Sequence, residues 1–124
     1  MKKQISTTKA PQAIGPYSQA IVANGMLYVS GQIPVNPATG EVSSDISEQT
    51  KQSMENIKAI LEEAGTNFSK VVRCGIFIKN MDDFVKINEV YGSYFIEPYP
   101  ARATVEVSRL PKDVLVEIDA IVLL

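Results

Sequence analysis

Arg102, Glu106, Glu117 and Asp119 stand at alternate positions in two strand-like stretches near the end of the chain, Ala101 to Val107 and Val114 to Leu124. A guanidinium is planar and makes two parallel hydrogen bonds to a carboxylate, so Arg102 can grip an amino-acid-like substrate. The alternative is a structural ion pair with Glu106, Glu117 or Asp119. Glu117, flanked by Val116 and Ile118, can sit partly buried with a raised pKa and so serve in general acid-base work near neutrality. Alternation alone gives Asp119 and Glu106 the same claim. Tyr17, after Gly15-Pro16, can hold a substrate by its hydroxyl or ring, or it can cap the core. Ser30-Gly31 ends a strand, and a glycine there admits a ligand close to the backbone or is an ordinary strand exit. Asn88, between Phe84 and Tyr91 on a helical stripe, is either satisfied internally or reaches a site. Cys74 has no activating neighbour in sequence and reads as a small buried hydrophobe.

The rest of the composition narrows the chemistry. The chain has no histidine and one cysteine, which leaves no usual ligand set for zinc or redox metals and no base for a Ser-His-Asp triad. Carboxylates, lysines and tyrosines remain as acids and bases. A net charge of −2 without a basic cluster argues against nucleic-acid binding, which depends on neutralising phosphates. No stretch reaches the roughly 18 to 20 apolar residues needed to cross a bilayer. Met1-Lys2-Lys3-Gln4 runs into polar Ser6, Thr7, Thr8 and Lys9 instead of an apolar signal core, so a cytoplasmic protein without membrane association is expected. At 124 residues, 45% of them apolar and 21% charged, a single domain spanning 1–124 is the natural reading.

Local patterns predict the elements that must position these residues. Asn24-Gly25 suits a two-residue type I′ turn, pairing Ala23 with Met26, Val22 with Leu27 and Ile21 with Tyr28 in a hairpin apolar on both sides. Gln4 to Thr8 can add a short edge strand. Asp45 with Glu48 reads as a capping box, and Gly65 as the stop of a helix whose stripe is Ile46, Met54, Ile57, Ile60, Leu61 and Ala64. Val71 to Ile78 is a central strand, after which Asn80 or Asp82 caps a second helix running to about Phe95. Its inner face is Phe84, Ile87, Tyr91 and Phe95. The last two stretches are read as a hairpin turning near Leu110-Pro111. That register puts Ala103, Val105 and Val107 with Val116, Ile118, Ala120 and Val122 on one face. Arg102, Thr104, Glu106, Glu117 and Asp119 fall on the other, Thr104 opposite Glu117. The order predicts an α+β fold, a mixed five- or six-stranded sheet with two helices on one face. The doubly apolar first hairpin calls for a partner surface, hence a homo-oligomer with a cleft between subunits.

Several segments together resemble one family. Ala13-Ile14-Gly15-Pro16-Tyr17-Ser18-Gln19, Ser30-Gly31-Gln32-Ile33-Pro34, Pro100-Ala101-Arg102 through Val105-Glu106-Val107, and Leu110-Pro111-Lys112-Asp113 followed by Val116-Glu117-Ile118-Asp119-Ala120-Ile121 are similar to the motifs of the Rid family, formerly YjgF. The resemblance covers essentially the whole chain. It implies a chorismate-mutase-like fold, a homotrimer with a central barrel, and sites in the clefts between subunits. It also implies cofactor-free hydrolytic deamination of enamines and imines such as 2-aminoacrylate, giving 2-ketoacids and ammonia. On that reading Arg102 holds the carboxylate and Glu117 positions or activates water, while Tyr17, Ser30, Gly31 and Asn88 line the pocket. Thr104, where many members carry a cysteine, is counted with them as a substrate-binding residue, without a thiol. The alternative is a carboxylate-sensing regulatory or interaction protein that uses the same pocket without turnover. A ribonuclease, as proposed for relatives, sits poorly with an acidic chain lacking histidine.

Overall fold

Asn24 and Gly25 both adopt positive φ, 51° and 72°, and close the first hairpin in the expected register. In this computed structural model, which describes all residues 1–124, the hairpin joins β2 (Ala20–Ala23) to β3 (Met26–Gln32), with β1 (Lys3–Ile5) antiparallel on its outer edge. α1 (Ile46–Glu63) begins where Asp45 accepts the Glu48 N–H at 3.0 Å. It ends in a Schellman arrangement, with Gly65 at φ 79°, the Gly65 N–H on the Glu62 carbonyl and the Thr66 N–H on the Leu61 carbonyl.

β4 (Val71–Ile78) has its predicted bounds. Asn80 caps a short 3-10 turn, accepting the Asp82 N–H, and this turn leads into α2 (Phe84–Gly92). That helix is shorter than expected, because the chain turns away from it into the segment leading to Pro98 and Pro100. β5 (Ala101–Glu106) and β6 (Val116–Leu123) complete a six-stranded sheet in the order β1-β2-β3-β6-β4-β5.

The order corrects one expectation. β5 and β6 do not form a hairpin. β5 runs parallel to β4, Arg102 beside Cys74, and β6 inserts antiparallel between β3 and β4. A parallel pair needs a crossover, and α2 supplies it between β4 and β5. The connection from Val107 to Leu115 then carries the chain past β4. β6 buries Val116, Ile118, Ala120 and Val122 on one face, which suits the middle of a sheet; β5, with polar residues at alternate positions, suits its edge.

α1 lies over β3 and β6 and packs on α2. Met54, Ile57, Ile60 and Leu61 of α1 and Ile87 of α2 enclose Leu27, Val29, Ile76, Ile78 and the four buried residues of β6 in one core. The opposite sheet face is uncovered and largely apolar, with Tyr28, Val105 and Leu123 each 44–46% exposed beside Ile21, Phe77 and Ile121. The first hairpin thus has one face covered by the core and one left open, although its residues are apolar on both.

Candidate active site

Glu117 and Asp119 point out of the open face of β6, two residues apart. Each lies over a glycine of a neighbouring strand. A Cβ on Gly31 would stand 2.1 Å from Glu117 Oε2, and one on Gly75 would stand 2.6 Å from Asp119 Oδ1. Asp119 Oδ1 also accepts the Gly75 N–H at 2.8 Å, which fixes that carboxylate against β4. Gly31 falls within a bulge, where β3 advances three residues, from Val29 to Gln32, against two on β6, from Ala120 to Ile118. The bulge and the missing side chain together make room for the glutamate. Burial pushes the Glu117 carboxyl above the ordinary carboxylate range, and the negative charge of Asp119 adds to the effect.

Gly31 also lines a cleft of about 510 Å³, with Tyr17, Ile14, Gln32, Pro111 and Lys112 among its other walls. Gln19 organises this end of the molecule. Its amide accepts the Thr7 N–H at 2.7 Å and donates to the Thr7 and Pro11 carbonyls at 3.0 and 2.8 Å, holding the segment that leads to Gly15-Pro16-Tyr17. The Ser30 hydroxyl donates to the Ser18 carbonyl at 2.5 Å and so fastens the bulge to the residue after Tyr17. On the far side of the cleft, buried Asn56 donates to the Ile33 and Val35 carbonyls.

Arg102 belongs to a different place. Its pairing with Cys74 puts it on the helix-covered face, where it lines a second cleft of about 510 Å³ with Asn88, Tyr91, Gly92, Tyr99 and Pro100. Nη1 donates to Asn88 Oδ1 at 2.7 Å, and the guanidinium carbon stands 5.4 Å from the Phe84 ring centre and 5.0 Å from that of Tyr91. No acid pairs with it; the chain's one ion pair is Arg109 with Asp113, elsewhere on the surface. Thr104 pairs with Ile76 on the same face, its hydroxyl buried without a hydrogen-bond partner. Cys74 is buried here too, and burial pushes its thiol up to about 11, so it stays protonated at neutral pH.

The expected common face for Arg102, Thr104, Glu106, Glu117 and Asp119 is therefore corrected. Arg102, Thr104 and Glu106 share the helix side with Ile118 and Val116, whereas Ala103 and Val105 share the open side with Asp119 and Glu117. The reason is the intervening β4: β5 and β6 do not face each other across a turn, and a shift of one residue exchanges the faces of a strand. Tyr17, Ser30, Gly31 and Glu117 gather at one place, Asn88, Arg102 and Thr104 at another.

A family model described as endoribonuclease L-PSP matches residues 7–124. A RutC family protein of Pyrococcus horikoshii is 58% identical over 122 residues, covering 98% of this chain and 97% of that protein. A 2-iminobutanoate/2-iminopropanoate deaminase of Escherichia coli is 49% identical over 124 residues, with 98% and 97% covered. Among solved structures, a conserved Rid-family protein from Yersinia pestis aligns over the whole of both chains with a TM-score of 0.97 at 52% identity. The chain belongs to the Rid family. E. coli TdcF with bound serine is a further structural neighbour, at a TM-score of 0.95 and 46% identity over 98% of each chain.

The segments that carry the Rid resemblance are thus divided between two places. Gly15-Pro16-Tyr17 and Ser30-Gly31 belong with Glu117, and Pro100-Ala101-Arg102 belongs with α2. Sequence reasoning missed Gln19, whose role depends on a loop folding back on it, and the use of Gly75 as a seat for Asp119. It also missed the pair of rings around Arg102, although Phe84 and Tyr91 flank Asn88 at helical spacing.

Proposed function

We propose that this Rid-family protein hydrolyses small carboxylate-bearing imines, and enamines once they tautomerise, to 2-ketoacids and ammonia, needing no cofactor. The observation that carries the reading is Arg102: a guanidinium held in a cleft by Asn88 and two rings, with no acid to neutralise it, is prepared for an external carboxylate. The E. coli relative named as a 2-iminobutanoate/2-iminopropanoate deaminase supports the substrate class, and the bound serine of TdcF supports an amino-acid-sized ligand.

Hydrolysis adds water across a carbon already made electrophilic by its C=N bond. Glu117 accepts a proton from the attacking water; the nitrogen of the resulting carbinolamine is protonated and leaves as ammonia while the C=O forms. A carboxyl raised by burial is a stronger base than an ordinary glutamate and can both take and return that proton.

One chain alone does not bring Arg102 to Glu117, so the site is composite: the Arg102 cleft of one copy faces Glu117 and its Gly31 seat on the next. The uncovered apolar sheet face supports association, and the reading is a chorismate-mutase-like homotrimer with open faces lining a central barrel, working in the cytoplasm. Tyr17, Ser30, Gly31, Asn88 and Thr104 complete the substrate surroundings. The test is release of ketoacid and ammonia from freshly generated 2-aminoacrylate or 2-iminobutanoate, measured with the intact protein and with Arg102→Ala. Acceleration by the first and none by the second is expected. Ketoacid binding without turnover would instead make the protein a sensor.

A further inference from the structure

Phe84, Asn88 and Tyr91 stand four and three residues apart on α2 and present one side of the helix to Arg102. The three contacts differ in kind. Asn88 occupies a single N–H of Nη1, whereas the rings attract the cation through their faces and use none of its donors. Nε and Nη2, the edge that receives a carboxylate as a fork, have no acceptor within the chain. An acid in place of either ring would also hold the guanidinium, but it would compete with the substrate for that edge.

Tyr91 is itself held by the core at 5% exposure, and its hydroxyl faces the buried Cys74 thiol, so what it offers the guanidinium is the ring. An arginine free on an edge strand must give up much rotamer freedom when it binds; one stacked on two rings has already done so.

We propose that Phe84 and Tyr91 are positioning residues for the carboxylate grip, a two-ring clamp that pre-orients Arg102 while leaving its fork open. The inference deepens the function proposed above and rests on Arg102 as the carboxylate ligand. It is tested with Phe84→Leu, Tyr91→Leu, the double variant and Tyr91→Phe, reading kcat and KM for imine deamination and, separately, the Kd for 2-oxobutanoate by calorimetry. Each leucine is expected to raise KM and Kd together by roughly two- to fivefold, the double variant by about the product, with kcat within about twofold of the parent. Tyr91→Phe, which keeps the ring, should recover most of the loss.

Folded leucine variants that bind 2-oxobutanoate as the parent does, or that lose kcat with KM unchanged, overturn the clamp. Phe84 is only half-buried, so Phe84→Leu keeps the test decisive if Tyr91→Leu does not fold. A parent protein that deaminates but whose leucine variants bind unchanged refutes the clamp alone. Failure of the parent to bind 2-oxobutanoate at all refutes the Arg102 grip, and the clamp with it.

Discussion

Arg102 and Glu117 point through opposite faces of one sheet, their strands separated by β4. Each is well placed by itself, the arginine in its ring-lined cleft and the glutamate over Gly31. If the reaction uses both, two copies must supply them, and subunit mixing detects this directly. Arg102→Ala and Glu117→Gln should each retain at most about a hundredth of parental activity alone. Dissociated and reassembled together at equal ratio, they should regain about a quarter of parental activity, because one junction in four joins an intact arginine to an intact glutamate. No recovery from verified mixed assemblies would place both groups in one subunit.

Removing the guanidinium should cost more than replacing its charge. Arg102→Ala is expected to lower kcat/KM on the order of 10²- to 10³-fold through loss of two charge-assisted hydrogen bonds, and Arg102→Lys to restore only part of it. Steady-state kinetics on 2-iminobutanoate measures both. Full activity with lysine would show that a point charge is enough.

Gly31→Ala tests the seat of the glutamate. The intruding methyl meets the far end of a flexible side chain, so the fold should survive with little change in Tm while the carboxylate is pushed aside. A loss of about 10² in kcat is expected from such a displacement. Unfolding of the variant, or unchanged kcat, would contradict this account.

The charge on Asp119 should be visible in the pH profile. Asp119→Asn keeps an oxygen for the Gly75 N–H but removes the negative charge that helps raise Glu117. If Glu117 acts as the base, the acidic limb of kcat/KM moves to lower pH in this variant. Stability carries the same signature. Because the native carboxyl holds its proton to higher pH than the unfolded one, the folded state binds more protons between the two pKa values, and stability falls as pH rises through that window. Glu117→Gln removes this loss, so it should melt higher than the parent at neutral pH and lose its advantage below the ordinary glutamate pKa. Thermal melts against pH decide the matter.

Thr104 offers a separation of stability from binding. Its hydroxyl is buried without a partner in the chain, so Thr104→Val should not destabilise the fold and is expected to stabilise it by about 1 kcal/mol. If the hydroxyl meets substrate, KM rises in the same variant. A lower Tm would mean the hydroxyl is satisfied within the protein.

Much of the fold was legible because its signals are local. Asn24-Gly25 dictated a hairpin register, Asp45 and Gly65 marked the ends of α1, and the β-branched run from Val71 to Ile78 marked β4. The pairing of the last two strands is not legible, because nothing in β5 or its connection states which strand will lie beside it; α2 makes β5 parallel to β4, and the apolar face of β6 draws it to the centre. The candidate residues of the site could be named from their chemistry and their motif, but not their faces, since each face depends on that long-range pairing. Gln19 and the Gly75 seat of Asp119 exist only once distant segments have met.

The insertion of β6 between β3 and β4 also sets an order of events during synthesis. Until residues 116–123 have cleared the ribosome, β3 and β4 present two bare edges with nothing to bridge them, and the helices have only half a floor to rest on. A nascent chain halted short of that point would be a sticky intermediate, and protection from chaperones would matter most in the seconds before the keystone strand arrives.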